Sequence, residues 1–384
     1  MRGKIIIELN RNAQKLKYSL IRVLKDEAAK YKNVINLTIG EPDIPTPKEL
    51  IDEVMDYGKN NQLKYAQAGG DDEIRSLVAE YYNKKYGSSY TKENVVMNVG
   101  ASEALSSCFK TILNPEDEVI MTSPFYPGYP PMVEMCYGKP VIMDISQNDF
   151  KVTRELLEKY FTPKTKALLF SNPCNPTGNV MTFEEVKTVA DFVAERDIFL
   201  IADEIYNALS FYEFYSFACF ENIKDKLIII NGFSKSHSMT GWRIGYTICP
   251  EKYRKNFLNA TFYTLSCPMT LSLEGAKKAL AKFGELQEPK KIYRERAEYM
   301  TKILEDLGFK VLKPKGAFYI FADYSQISKL NSFDFAMDML KKVQVAVVPG
   351  ISFGTENYVR IALTVDIQKL KEAGERIKKY IEYK

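Results

Sequence analysis

The chain has one histidine, His237, in 384 residues. Its six cysteines, at positions 108, 136, 174, 219, 249 and 267, are scattered, and no two have C-x-x-C spacing. A zinc site therefore lacks ligands and a disulfide framework lacks its pattern. Reduced thiols in a cytoplasmic protein are the simpler expectation. No window approaches the roughly 20 apolar residues of a membrane span. The start, "MRGKIIIELNRN", falls short of the roughly 7–15 apolar residues of a secretory signal. There is no long block of one charge sign. The 53 basic and 49 acidic residues leave a net charge of +4, which argues against nucleic acid or a membrane surface as the main partner. Internal repeats and low-complexity tracts are missing as well.

What remains is ordinary globular composition, 46% hydrophobic and 27% charged, over a length that suits two domains. "LKYSLIRVLKDEAAKYK" has helical periodicity. Prolines 42, 45 and 47 forbid a continuous helix through the crossing that follows. From about residue 48, apolar runs alternate with helical stretches. The runs are "NVVMNV", "DEVIMT", "PVIMDI", "KALLFS", "IFLIAD", "KLIIIN" and "IGYTIC". Runs with little polar alternation suit strands covered on both faces, so the expected fold class is α/β, with a doubly wound, mainly parallel sheet. After about residue 280 come a charged helix, four short strands ("FKVL", "AFYIFA", "VAVVP", "YVRIAL") and a closing helix. The expected division is a large α/β domain over 48–280. A smaller α+β domain would be made of 1–47 and 281–384.

Binding sites in such sheets lie beyond the carboxyl ends of the strands. "NVVMNV" ends in Gly100, Ala101 and Ser102 before a helix, a place for a phosphate; read alone, Ser102 is an ordinary N-cap. "KALLFS" ends in "NPCNPTG", a rigid polar turn in which Asn175 offers an amide; read alone, it is loop punctuation. "IFLIAD" ends in Asp203, a carboxylate that burial would neutralise unless it were paired. "KLIIIN" ends in "GFSKSHSMTGWRIGY", with Ser234, Lys235 and Arg243. Lys235 or Arg360 alone would pass for solvated decoration. Together the four strand ends meet the demands of one ligand, pyridoxal phosphate. It needs a phosphate cradle, a lysine for its aldehyde, a carboxylate for its ring nitrogen and a donor for its phenolic oxygen.

At this point the chain resembles the class I aminotransferases of the fold-type I pyridoxal phosphate enzymes, over nearly its whole length. "GFSKSHSMTGWRIG" is similar to the family's lysine segment throughout. "NPCNPTG", "ADEIY" and "KGAFYIF" match further segments in order. The resemblance implies that Lys235 is the Schiff-base lysine and that Asp203 pairs with the pyridinium nitrogen. Asn175 and Tyr206 would reach the phenolic oxygen. Gly100, Ala101, Ser102, Ser234 and Arg243 would hold the phosphate. Tyr126, in "SPFYPGYP", matches the ring-stacking aromatic, where many relatives have tryptophan. Tyr65, in "LKYAQAGG", matches a tyrosine that reaches the neighbouring subunit's phosphate, which implies a homodimer with shared sites. Arg360, in "YVRIAL", would fork onto the substrate's α-carboxylate, with Gly40 and Asn175 beside it. No metal is implied.

The implied reaction moves an amino group between an L-amino acid and a 2-oxo acid by a ping-pong cycle. Aspartate, aromatic, alanine and acyl-diaminopimelate-like donors all remain open. Carbon–sulfur β-lyases share the fold and coenzyme and stand as the alternative. A non-catalytic regulatory module would usually carry a DNA-binding segment, and none is evident here. His237 reads as packing beside the lysine, and Cys174 as an inert small side chain.

Overall fold

The computed structural model describes residues 8–16 and 18–382. The apolar run at 5–7, Lys17 within the first helical stretch and the last two residues of the chain lie outside this range. The large sheet has seven strands: Val95–Asn98, Gly245–Ile248, Leu227–Gly232, Phe199–Asp203, Thr165–Ser171, Glu118–Ser123 and Lys139–Asp144, side by side in that order. All seven correspond to the apolar runs of the sequence. They are strands because they are β-branched and short, and because helices cover both faces of the sheet. Every residue of Val95–Asn98 and Leu227–Gly232 is buried.

Gly245–Ile248 is antiparallel to both its neighbours, and the other four pairings between adjacent strands of the sheet are all parallel. This fits the mainly parallel expectation and has a consequence for the site. Gly245 pairs with Asn98 on one side and Gly232 on the other. The reversed strand thus begins at the edge where the parallel strands end, which brings Arg243 to that edge.

Pro47 occupies the cap of the helix Lys48–Asn60, so the proline-rich crossing stops where the helix starts. The first helical stretch is shorter than its periodicity implies and forms Leu20–Ala28, with Leu24 and Ala28 buried. A four-stranded antiparallel sheet orders Val348–Pro349, Tyr358–Ala362, Tyr319–Asp323 and Lys310–Val311. "VAVVP" is not one strand. Val345–Ala346 pairs in parallel with Ile35–Asn36, and Val348–Pro349 pairs with the strand that carries Arg360. The chain changes partner at Val347 because the N-terminal segment needs an edge of its own to complete its hydrogen bonds.

That segment shares its core with the C-terminal part. Leu24, Ile35 and Leu37 pack into one apolar cluster with Phe318, Tyr319, Leu370 and Ile377, and Tyr206 and Leu209 join it. Among the described residues no helix is long and apolar enough to cross a membrane.

Candidate active site

A cavity of about 520 Å³ opens beyond the carboxyl ends of the parallel strands, within the ~300–1,000 Å³ usual for small-molecule sites. Each strand end contributes a group. Ser171 and Asp203 end neighbouring strands in register, and both line the cavity.

Val95–Asn98 leads to Gly100, the N-cap of the helix Ala101–Ile112. Gly100 has φ 81° and ψ 166°, a conformation only glycine holds without strain. No side chain caps this helix end, and Ser102 sits in the first turn rather than at the cap. The positive end of the helix dipole therefore faces the cavity with its backbone donors ungarnished, as an anion requires. The guanidinium of Arg243 lies directly on this turn. A Cβ on Gly100 would come within 2.7 Å of Arg243 Nη2. Arg243 itself has φ 50° and donates from Nη1 to Thr240 O at 2.8 Å.

Lys235 lies on a single helical turn, Phe233–Ser236, straight after Leu227–Gly232. Its Nζ donates to Gly40 O at 2.7 Å. Burial pulls its ammonium down to about 8; Glu41 opposes the shift, and Arg243 and Arg360 add to it. Asp203 is buried and its carboxyl is pushed up to about 6 by that burial, against a 2.6 Å hydrogen bond from Tyr129 and one from the Ile205 N–H. A carboxylate in this state would ionise fully if a cation or an N–H donor came to meet it.

Arg360 is the most telling side chain. It is buried, it has no carboxylate partner among the described residues, and burial lowers its affinity for its proton. Nη1 donates to Asn175 Oδ1 at 3.0 Å and Nη2 to Thr38 O at 2.7 Å, while Nε has no partner. The Tyr319 ring stacks against the guanidinium, 4.3 Å from its centroid to Cζ. Burying an unpaired cation is costly, so this arrangement anticipates an anion supplied from outside.

The cavity thus gathers Gly40, Ala101, Ser102, Tyr126, Asn175 and Asp203 with Tyr206, Ser234, Lys235, Arg243 and Arg360. Gly100 stands just behind, under Arg243. Tyr126 meets Tyr129 edge-on at 5.3 Å. Tyr65 is not brought to the cavity within one chain; it is 92% exposed. His237 is fixed elsewhere, with Nδ1 against Ser236 Oγ at 2.8 Å and Nε2 against Gly284 O at 2.7 Å. Cys174 is held away from the ionised form by burial.

Several groups were missed from sequence. Tyr129 stands in "SPFYPGYP", two residues after Pro127, and its bond to Asp203 has no local signal. Tyr319 stands in "KGAFYIF", where its hydroxyl meets that of Tyr206 at 2.8 Å. Thr38 reaches Arg360 only because the N-terminal segment pairs with Val345–Ala346. Arg22 and Lys25 line the cavity from the first amphipathic helix, where they read as solvated charges.

Pyridoxal phosphate can be tested against these residues. Its phosphate has an uncapped helix N-terminus and an arginine. Its ring nitrogen has a buried carboxyl in want of a partner. Its aldehyde has a lysine whose ammonium is weakened. The donor set fits.

Comparison with known proteins identifies the family. A sequence-family model described as aminotransferase class I and II matches residues 32–377. A probable N-acetyl-LL-diaminopimelate aminotransferase of Bacillus subtilis is 38% identical, covering 97% of this chain and 95% of its own. Aromatic-amino-acid aminotransferase 2 of Thermococcus litoralis is 36% identical over 95% of this chain and 96% of its own. The solved structure of a double mutant of Thermus thermophilus aspartate aminotransferase superimposes with a TM-score of 0.93 at 31% identity, covering 97% of this chain and all of that one.

Proposed function

The chain belongs to the class I and II aminotransferases, and from that premise we propose that it holds pyridoxal phosphate on Lys235 and works as a homodimer in the cytoplasm. It is an enzyme that moves an amino group between an amino acid and a 2-oxo acid. The observation that carries the coenzyme proposal is the convergence of Lys235, Asp203, Arg243 and Arg360 on one cavity. Its free cysteines support a reducing compartment. In this reading residues 48–280 form the coenzyme-binding unit, and 1–47 with 281–384 form the smaller one.

When bound, the coenzyme supplies an aldehyde for the incoming amine and an electron-withdrawing ring next to the substrate's Cα. The chain's own residues do the rest. Ala101, Ser102 and Ser234 donate to the phosphate, and Arg243 neutralises it. Tyr126 covers one face of the ring. Asp203, steadied by Tyr129, keeps a proton on the ring nitrogen. Asn175 and Tyr206 donate to the phenolic oxygen. Arg360 takes the substrate's α-carboxylate through two parallel N–H groups, which turns the Cα–H bond towards Lys235. Lys235 Nζ, neutral in useful amounts near pH 8, would be the base that takes that proton and carries it.

A half-reaction tests this. With an amino donor alone, the holoenzyme is expected to release one equivalent of 2-oxo acid per site and stop, then turn over continuously once a 2-oxo acid acceptor is added. Continuous release of pyruvate and ammonia without acceptor would mean β-elimination instead. Donors of the aspartate, aromatic and acyl-diaminopimelate types are the first to try.

A further inference from the structure

The chain's one histidine, His237, closes the turn that carries Lys235. Its backbone N–H donates to Phe233 O at 3.1 Å, which ends the helical turn Phe233–Ser236. The side chain is buried and does not line the cavity. Both ring nitrogens are nonetheless engaged, and their partners fix the tautomer. Gly284 O, 2.7 Å from Nε2, can only accept, so the proton sits on Nε2. Nδ1 is left to accept from Ser236 Oγ at 2.8 Å, a closer partner for that hydroxyl than Gly232 O at 3.3 Å. Burial holds the imidazolium below the usual histidine range, against the pull of the Gly284 carbonyl, and keeps the ring neutral near pH 8.

Gly284 occupies a particular place in the chain. It follows the π-helical turn Ala279–Phe283 and precedes Gln287–Asp306, with φ 56° and ψ −150°. A Cβ there would meet nothing within 4 Å, so the backbone angles, not crowding, call for glycine. Ser238, the residue after His237, is held from another direction: its carbonyl accepts from Thr46 Oγ1 at 2.7 Å. Thr46 precedes Pro47 at the start of Lys48–Asn60. Thr46 and Gly284 thus mark the two stretches where the chain passes between the proposed coenzyme-binding unit and the smaller one. They are bonded to consecutive residues of the loop that follows Lys235. Arg360 stands in the smaller unit, on Tyr358–Ala362. Proton transfer requires Lys235 Nζ to meet a Cα that Arg360 holds, so these two bonds span the distance on which the reaction depends.

We propose that His237 and Thr46 are positioning residues, which hold the Lys235 turn at a fixed place relative to Arg360 by tying it to the two passages between the units. The inference rests on the transamination reading, with Lys235 as its base, and adds to it residues that act on Lys235 without touching the substrate. A misplacement of about 1 Å at such a distance costs up to about 100-fold in rate.

The test follows coenzyme absorbance in single-turnover reactions of the holoenzyme with L-aspartate, L-tyrosine and L-2-aminopimelate, which separate the limiting rate from donor affinity. His237→Phe keeps the ring's bulk and loses its donor. For the fastest of the three donors its limiting rate should fall about tenfold, with donor and coenzyme affinities within about 2-fold of wild type. Thr46→Val, which loses only the hydroxyl, should show the same split with a fall of about 3- to 10-fold. His237→Gln can still donate to Gly284 O and should recover to within about 3-fold of wild type. A second readout needs no turnover. Histidine labelled for nitrogen NMR gives a single imidazole, which should carry its proton on Nε2, protected from exchange, with and without coenzyme. An unchanged limiting rate in His237→Phe or Thr46→Val, a loss carried by affinity, equal losses in His237→Phe and His237→Gln, or a proton on Nδ1 would overturn the proposal. A wild type that converts none of the three donors would count against the transamination reading itself.

Discussion

Arg360 carries the substrate end of the account, and its chemistry is specific to a guanidinium. Lysine keeps the charge but cannot offer two parallel donors. Arg360→Lys is expected to lower kcat/KM for every α-amino acid by about 10–100-fold, the range for losing a hydrogen bond to a charged group, with most of the loss in KM. Tyr129 is a second test at this scale, because it was read from contacts and not from sequence. Tyr129→Phe removes the 2.6 Å bond to Asp203 and should weaken pyridoxal phosphate binding by about tenfold in a fluorescence titration. Glu204, the neighbour of Asp203, points the other way, into a buried network. It accepts from Ser216 Oγ at 2.6 Å and Tyr82 at 3.0 Å, and burial pushes its carboxyl up to about 7. An acid raised on folding binds more protons in the native state than in the unfolded one between its two pKa values. Its burial therefore costs nothing below about 4.5 and costs progressively more as pH rises through about 7. Urea unfolding of the coenzyme-free protein at pH 5 and pH 8 should show Glu204→Gln gaining on wild type with rising pH, by an amount on the order of 3 kcal/mol. An equal difference at both pH values would contradict the assignment.

At the scale of elements, the site is a set of strand ends plus one uncapped helix. Gly100 joins them, since it alone lets the chain turn into Ala101–Ile112 beneath Arg243. Gly100→Ala should destabilise the coenzyme-free protein by about 1–3 kcal/mol, read from urea melts, because the native backbone angles there exclude a side chain. It should also reduce stabilisation by added pyridoxal phosphate, because Arg243 has to move. A variant with wild-type melts in both conditions would remove this turn from the argument. The seven strands of the large sheet were legible because each is an apolar run bounded by turn residues. The strand reversal at Gly245–Ile248 was not, since direction is decided by which neighbour completes the backbone hydrogen bonds. The split of "VAVVP" was hidden for the same reason. The lysine segment, the acid and Arg360 were legible because chemistry restricts their residue types. Tyr129, Thr38, Arg22 and Lys25 were not, because their places at the cavity come from elements that meet only in three dimensions.

For the whole molecule, Tyr65 is the residue that one chain leaves without a purpose. It is 92% exposed and away from the cavity, although its segment resembles one that completes a neighbour's site. The proposed homodimer would give it one. Sedimentation should give twice the 44.0 kDa chain mass. Tyr65→Phe should weaken coenzyme binding about tenfold. Mixed dimers of Tyr65→Phe with Lys235→Ala should recover tight coenzyme binding at half of their sites, those that combine an intact lysine with an intact tyrosine. A monomer, or a Tyr65→Phe protein with unchanged affinity, would confine the site to one chain. The covalent attachment itself is open to direct observation. The holoenzyme is treated with borohydride and digested, and the peptides are weighed by mass spectrometry. The account predicts a single peptide carrying reduced pyridoxal phosphate on Lys235; protein saturated with coenzyme that yields no such adduct, or yields it on another lysine, would contradict it.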